Sequence, residues 1–280
     1  MKFKIGFHHD SHDSYECDAS TKNTESNTFV DQANTIAPRK SVVQVHFPFR
    51  GSTLAYYNDR FDLHIGDLVY VEGKLEGQQG RITEINYNFK IKLSDYKRII
   101  AVIDTTVKGQ FYFAGSHFIS FAPYTIPSSK VRSWFKAPAK EEEEFVSGND
   151  DTTFQLDDPQ SMNISAVIAE RGHDYYIDNR VRYISVDGSR GYAIIEGSDT
   201  YEVEFEYQNG EISHLICSCF CSYHCKHEFA TMLQLRETLN LIKKHYATEY
   251  EHSGYFAAIF KGTLFNLAIA SKETGMFSLT

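Results

Sequence analysis

Cysteine, proline and tryptophan are scarce in this chain, at 5, 6 and 1 of 280 residues. No run approaches the roughly 18 consecutive apolar residues that cross a bilayer as a helix, so no membrane span is expected. The start, MKFKIGFHHDSHD, is basic at two positions and then turns polar, without the apolar core of a secretory signal. The expectation is a soluble, cytoplasmic protein. Signatures of catalysis are also missing. The chain has no Gly-x-Ser-x-Gly elbow, no His-Glu-x-x-His and no Gly-x-x-x-x-Gly-Lys-Ser/Thr phosphate loop. Nucleotide binding is not expected, and the chain reads as a non-enzyme.

What is present is apolar and aromatic. Residues of apolar type make up 42%, and the 21 Phe and 18 Tyr make packed cores feasible. Short Val/Ile/Tyr runs point to a mainly β protein with one or two helices, an α+β chain. Its length suits two domains. The net charge of −9 is unevenly spread. Residues 40–126 carry ten basic and eight acidic side chains, whereas 161–239 carry six and twelve. An acidic second half repels phosphate and favours a protein partner there over nucleic acid.

Four regions follow from the pattern. Residues 1–39, rich in Ser, Thr, Asn and Asp, read as a flexible arm. His8, His9, His12 and Cys17 lie in it without a scaffold to bring them together, so they are expected to be solvated. Residues 40–126 hold VVQVHFPF, LVYVEG, GRITEINY, FKIKL and RIIAVID, strand-like runs that suggest a small antiparallel β-barrel. Residues 127–160, with Pro127, Pro138, Pro159 and the run Glu141 to Glu144, read as an acidic linker. From 161 to 280, VRYISVDG, GYAIIEG, TYEVEFEY and EISHLICSC alternate as a meander whose last turn is Asn209-Gly210. A helix with Phe229, Met232, Leu233, Leu239 and Ile242 on one face should run from about Cys225 to Lys244. A short helix and a final strand should close the chain.

The chemistry sits at the junction of that meander and helix, in CSCFCSYHCKH. Four of the five cysteines fall within nine residues, Cys217 to Cys225, which is the spacing of a metal site rather than of a disulfide framework. Candidate ligands are Cys217, Cys219, Cys221, His224, Cys225 and His227. One Cys-x-Cys pair at a strand end and one Cys-x-His pair at a helix start can complete a tetrahedron around a zinc ion. The helix N-terminus would also favour the Cys225 thiolate.

This segment resembles a SWIM zinc finger: a hairpin, Cys-x-Cys, a spacer, then Cys-x-His opening an apolar helix. The resemblance covers about residues 165–240. It implies one zinc per chain on Cys217, Cys219, Cys225 and His227, with Cys221 as the alternative ligand. Similar segments occur in bacterial proteins, alone and at the front of Swi/Snf-type helicases. The stretch IGDLVYVEGKLEGQQGRITEIN resembles a KOW-type barrel segment, and such barrels bind RNA, DNA or protein. Around it Arg81, Lys90, Lys92, Lys97 and Arg98 interleave with Tyr87, Phe89 and Tyr96, a pattern able to hold phosphates and stack bases. The expected function is a zinc-binding adaptor for a protein partner. The alternative is a DNA- or RNA-binding protein whose barrel and finger contact one strand.

Overall fold

The computed structural model describes residues 3–6, 38–138, 152–269 and 276–279. Its strands are β1 (Phe3–Gly6), β2 (Ser41–Phe47), β3 (Ser52–Asn58), β4 (Leu68–Val71), β5 (Gly80–Asn86), β6 (Ile99–Val102), β7 (Lys108–Ala114) and β8 (His117–Ser120). Then come β9 (Phe154–Gln155), β10 (Val181–Asp187), β11 (Arg190–Glu196), β12 (Thr200–Gln208), β13 (Glu211–Cys217), β14 (Tyr255–Phe260) and β15 (Met276–Leu279). The helices used below are α1 (Ser128–Ser133), α2 (Ala166–Ile177), α3 (Lys226–His245) and α4 (Ala247–Ser253). The protein is mainly β, in two sheets that are antiparallel apart from the β15–β7 pair.

The first sheet has the order β3-β2-β5-β4-β6. In β2 every second side chain is buried, as a strand covered on one face requires. Val43, Val45, Phe47, Val69, Val71, Ile82 and Ile99 fill its interior. This sheet does not close into the expected barrel. Among the described residues, the bridge between its ends is an isolated parallel one, from Tyr57 of β3 to Arg98, the residue before β6. The expected strand FKIKL is not one either. Phe89 instead packs its ring edge-on against Tyr57, and Leu93–Asp95 form a 3-10 turn.

The second sheet has ten strands in the order β1-β15-β7-β8-β14-β10-β11-β12-β13-β9. The expected meander is its β10–β13 section. The turn between β12 and β13 uses Asn209 and Gly210 at φ 53° and 90°, the left-handed pair that a two-residue hairpin demands. One face carries α3, whose Met232 packs over Val203, Phe205, Ile212 and Leu215. The other face meets the first sheet, and Leu68 and Tyr70 of β4 share a core with Trp134, Tyr183 and Ile194. All four residues of β4 are buried because both of its faces are covered.

The sheets therefore do not divide at 127–160. Strands β7 and β8, from the expected first unit, lie in the large sheet beside β14. The parts of the expected linker that are described are packed. Trp134 is buried and donates its indole N–H to the Asp104 carbonyl at 2.8 Å, while Phe154 and Leu156 sit in the core under α3. Glu141 to Glu144, like His8, His9, His12 and Cys17, lie outside the described residues. Within the expected arm, Phe3–Gly6 pair with β15. Helix α3 lies where the sequence places it, whereas α1, α2 and α4 are additions to the one or two helices expected. No helix among the described residues is long and apolar enough to cross a membrane.

Candidate metal centre

Strand β13 ends at Cys217, held opposite Val203 of β12. The next residue clamps that end. Ser218 donates its N–H to the Glu202 carbonyl and accepts the Glu202 N–H on its hydroxyl, both at 2.9 Å. Seven residues later Cys225 serves as the N-cap of α3. Its thiol accepts the Glu228 N–H at 3.5 Å, and the Glu228 carboxylate accepts the Cys225 N–H at 2.8 Å. This reciprocal capping box satisfies two of the helix's orphan donors. Glu228 also lies 3.2 Å from His224 Nδ1, which turns His224 away from a ligand role.

Helix α2 supplies the remaining wall. It lies across the first turn of α3 because Gly172 has no side chain. A Cβ there would stand 2.8 Å from the Phe229 ring and 2.9 Å from the Lys226 carbonyl oxygen. Tyr175 of α2 then packs edge-on to His227 at 5.4 Å, while Tyr201 of β12 stacks on the same ring at 4.0 Å. His227 is thus buried and locked between two aromatic rings.

The result is a group of four. One ligand atom each from Cys217, Cys219, Cys225 and His227 lies within 4.8 Å of the others, and the group could hold a metal ion. The Nδ1 atom of His227 stands 3.7 Å from both the Cys217 and Cys225 sulfurs. A tetrahedral zinc with usual bond lengths would place sulfur and nitrogen ligands about 3.6 Å apart, so the spacing fits that ion. The fit extends to the backbone. Cys217 Sγ accepts from the Cys219 N–H, Cys219 Sγ from the Cys221 N–H and Cys225 Sγ from the Glu228 N–H. Each of the three sulfurs thus has a donor suited to a thiolate. The other ring nitrogen of His227, Nε2, is buried without a hydrogen bond, whereas a ligating histidine usually donates there to a carboxylate, carbonyl or water.

Three thiols this close do not all ionise unaided. The Cys217 thiol donates to Cys225, which with the His227 ring holds Cys225 down at about 4. Sharing that proton and losing solvent push Cys217 far up. Burial pushes Cys219 up to about 12. A divalent cation at the centre would displace those protons and balance the charge.

Cys221, the alternative ligand, is exposed and lies outside the group. The loop it occupies displays two large aromatics, Phe220 at 106% and Tyr223 at 89% relative exposure. The four clustered residues are legible in the sequence, whereas Gly172, Tyr175 and Tyr201, which hold them in place, are not. Ser165, which caps α2 by accepting the Ile168 N–H at 3.3 Å, was the one local signal for that helix.

The basic set on the first sheet is divided. Arg98 pairs with Asp59 and lies over Tyr57, and Arg81 donates to the Gly66 carbonyl at 2.9 Å. Phe89 is half-buried against Tyr57. Lys90, Lys92 and Lys97 are exposed, as is Tyr87, whose ring carries the Arg39 guanidinium at 4.3 Å.

No protein-family model matches the chain, and no solved structure does. An uncharacterized protein of Methanocaldococcus jannaschii is 33% identical over 82 residues, which is 29% of this chain and 34% of that protein. The match therefore spans about a third of that relative's length.

Proposed function

We propose that this chain is a non-enzymatic, zinc-binding adaptor whose SWIM-like finger docks a protein partner. The carrying observation is a closed Cys3His set beneath a loop that exposes Phe220 and Tyr223. Four protein ligands leave no position for a reactive water, so the ion is structural. Its role is to fix the end of β13 to the start of α3. Binding of zinc to such sets releases about 10–16 kcal/mol, as large as the whole stability of a typical domain. The ion therefore decides whether the loop is presented at all. Solvent-facing aromatics held by a rigid frame are the usual anchors of a protein interface. The excess of twelve acidic over six basic residues in 161–239 favours a partner with a basic rim.

The test is a double variant, Phe220→Ala with Tyr223→Ala. It should keep one zinc per chain and its melting temperature, yet lose partners that the wild-type chain retains in quantitative affinity purification from native extract. Identical captures by the two proteins would remove the loop from the interface.

A second reading is favoured by one observation, the exposed Lys90, Lys92 and Lys97 beside Tyr87. On it, the first sheet holds a nucleic-acid strand while the finger assists. Reversal of these three lysines to Glu should then abolish affinity for a single-stranded oligonucleotide without changing zinc content. That affinity should also fall steeply with salt.

A further inference from the structure

Away from the metal centre, a cavity of about 460 Å³ opens between the β7–β8 hairpin and helix α4. Much of its wall is aromatic. Tyr112 of β7 and Phe121, just past β8, line it and meet edge-on at 5.2 Å and 61°, a corner rather than a stack. Tyr246 braces that corner, 5.1 Å from Tyr112 and 6.1 Å from Phe121, and donates its hydroxyl to the Phe113 carbonyl at 2.8 Å. A third lining ring, Tyr124, stands on the turn that the Thr125 N–H closes onto the Ala122 carbonyl at 3.1 Å. It is 77% exposed and supports no core. Helix α4 contributes one carboxylate. Glu249 lines the cavity, is half-buried and makes no ion pair among the described residues. Burial first, and then the charge of Glu249, hold the Tyr112 and Tyr246 phenols above their ordinary value, as a carboxylate beside both rings would. A partly desolvated charge without a counter-ion is costly, so this one is suited to a cation from outside the chain.

The class of cation follows from the groups around it. A primary ammonium brings three N–H donors, each needing an acceptor. Several polar groups of the lining are already engaged within the protein. The Thr248 carbonyl is bonded to His252 Nδ1, the Ser253 hydroxyl donates to the Tyr255 carbonyl at 2.8 Å, and the Ser120 hydroxyl accepts the Ala122 N–H at 3.3 Å. A quaternary ammonium has no N–H to satisfy. It presents a charge spread over methyl groups, which aromatic rings attract, and one carboxylate balances it. The volume lies within the range of small-ligand sites. We propose that this cavity binds a small quaternary ammonium compound of the choline type, its cationic head among Tyr112, Phe121 and Tyr124 with Glu249 as counter-ion. The site contains none of the metal-centre residues and does not depend on the adaptor reading.

Calorimetric titration of the full, zinc-loaded chain with choline tests this. The expected result is saturable binding at one site, weakened roughly tenfold by Tyr124→Ala and by Glu249→Gln, as loss of a ring or of the counter-ion implies. Tyr124→Trp should keep or tighten it, because indole is the best of the cation-binding rings. Glu84→Gln, a control on the first sheet, should change nothing. Circular dichroism on each variant shows that the fold is kept. Two analogues separate the causes: ethanolamine, which keeps the charge but carries N–H donors, and 3,3-dimethylbutan-1-ol, which keeps the shape but has no charge. Both should bind more weakly than choline, by roughly tenfold. Absence of saturable heat up to about 10 mM, a range that reaches weak ligands, overturns the proposal. Ethanolamine binding as tightly as choline does so too, because it reports general attraction to a carboxylate. A trimethyl-lysine peptide bound far more tightly than choline would make the occupant a modified protein and sink the small-molecule reading.

Discussion

Replacing Gly172 by alanine sets two effects of known sign against each other. Alanine is the better helix former by about 0.8–1.0 kcal/mol in a helix interior, so an isolated α2 would gain. In the folded protein the new methyl meets the Phe229 ring at 2.8 Å and the Lys226 carbonyl oxygen at 2.9 Å. Contacts below 3.0 Å force a shift, and overpacking of this kind costs about 1–3 kcal/mol. The packing loss should win, leaving a net destabilisation of roughly 1 kcal/mol. The displacement also reaches the proposed metal centre, because Lys226 and Phe229 bracket His227 in the first turn of α3. Zinc affinity should therefore fall along with stability. Urea unfolding measures the first quantity, and competition with a chromophoric chelator measures the second. Phe229→Leu in the same chain should recover part of both by giving the methyl room. A Gly172→Ala protein that is more stable than wild type, with unchanged zinc affinity, would refute the close approach of α2 to the metal helix.

Two further outcomes follow from buried groups. His117 is buried between the Ser116 hydroxyl and the Val181 carbonyl, each at 2.9 Å, and burial lowers its pKa to about 4. The unfolded chain takes up that proton near 6.5 and the folded one near 4, so the contribution is full above pH 6.5 and is lost as pH falls toward 4. The loss amounts to about 3 kcal/mol and should appear as the difference between wild type and His117→Gln in urea unfolding at pH 7 and pH 4. A pH-independent difference would contradict a neutral, buried imidazole. The second outcome concerns chelation. Stripping the metal should expose the end of β13, the 218–224 loop and the start of α3 to protease first. Because Leu68 and Tyr70 share a core with the large sheet, the first sheet should then loosen as well rather than persist alone. Survival of an intact fragment near 40–103 would show that the shared core carries little energy.

Local patterns were legible in the sequence, and distant pairings were not. The alternation in VRYISVDG through EISHLICSC and the turn at Asn209-Gly210 define β10–β13 because hairpin neighbours are encoded side by side. The four clustered candidate ligands were legible for the same reason: His227 follows Cys217 by ten positions. Helix α2 was not, since its only buried residue is Gly172 and its tyrosines are half-buried, leaving no apolar stripe to read. Strand β3 was hidden by its polar start, Ser52 and Thr53, and by burial that does not alternate. Nothing local announces that β14 inserts between β8 and β10, joining residues near 118, 184 and 258. That insertion is what moved the boundary between the sheets away from 127–160. Tyr201 and Tyr175 hold His227 through contacts that only the fold creates.

Metal content decides whether Cys217, Cys219, Cys225 and His227 hold an ion. Elemental analysis of the purified chain, beside Cys217→Ser and Cys221→Ser, should find one zinc in the wild type, little or none in Cys217→Ser and one in Cys221→Ser. Zinc that survives in Cys217→Ser but disappears in Cys221→Ser would contradict the cluster of Cys217, Cys219, Cys225 and His227.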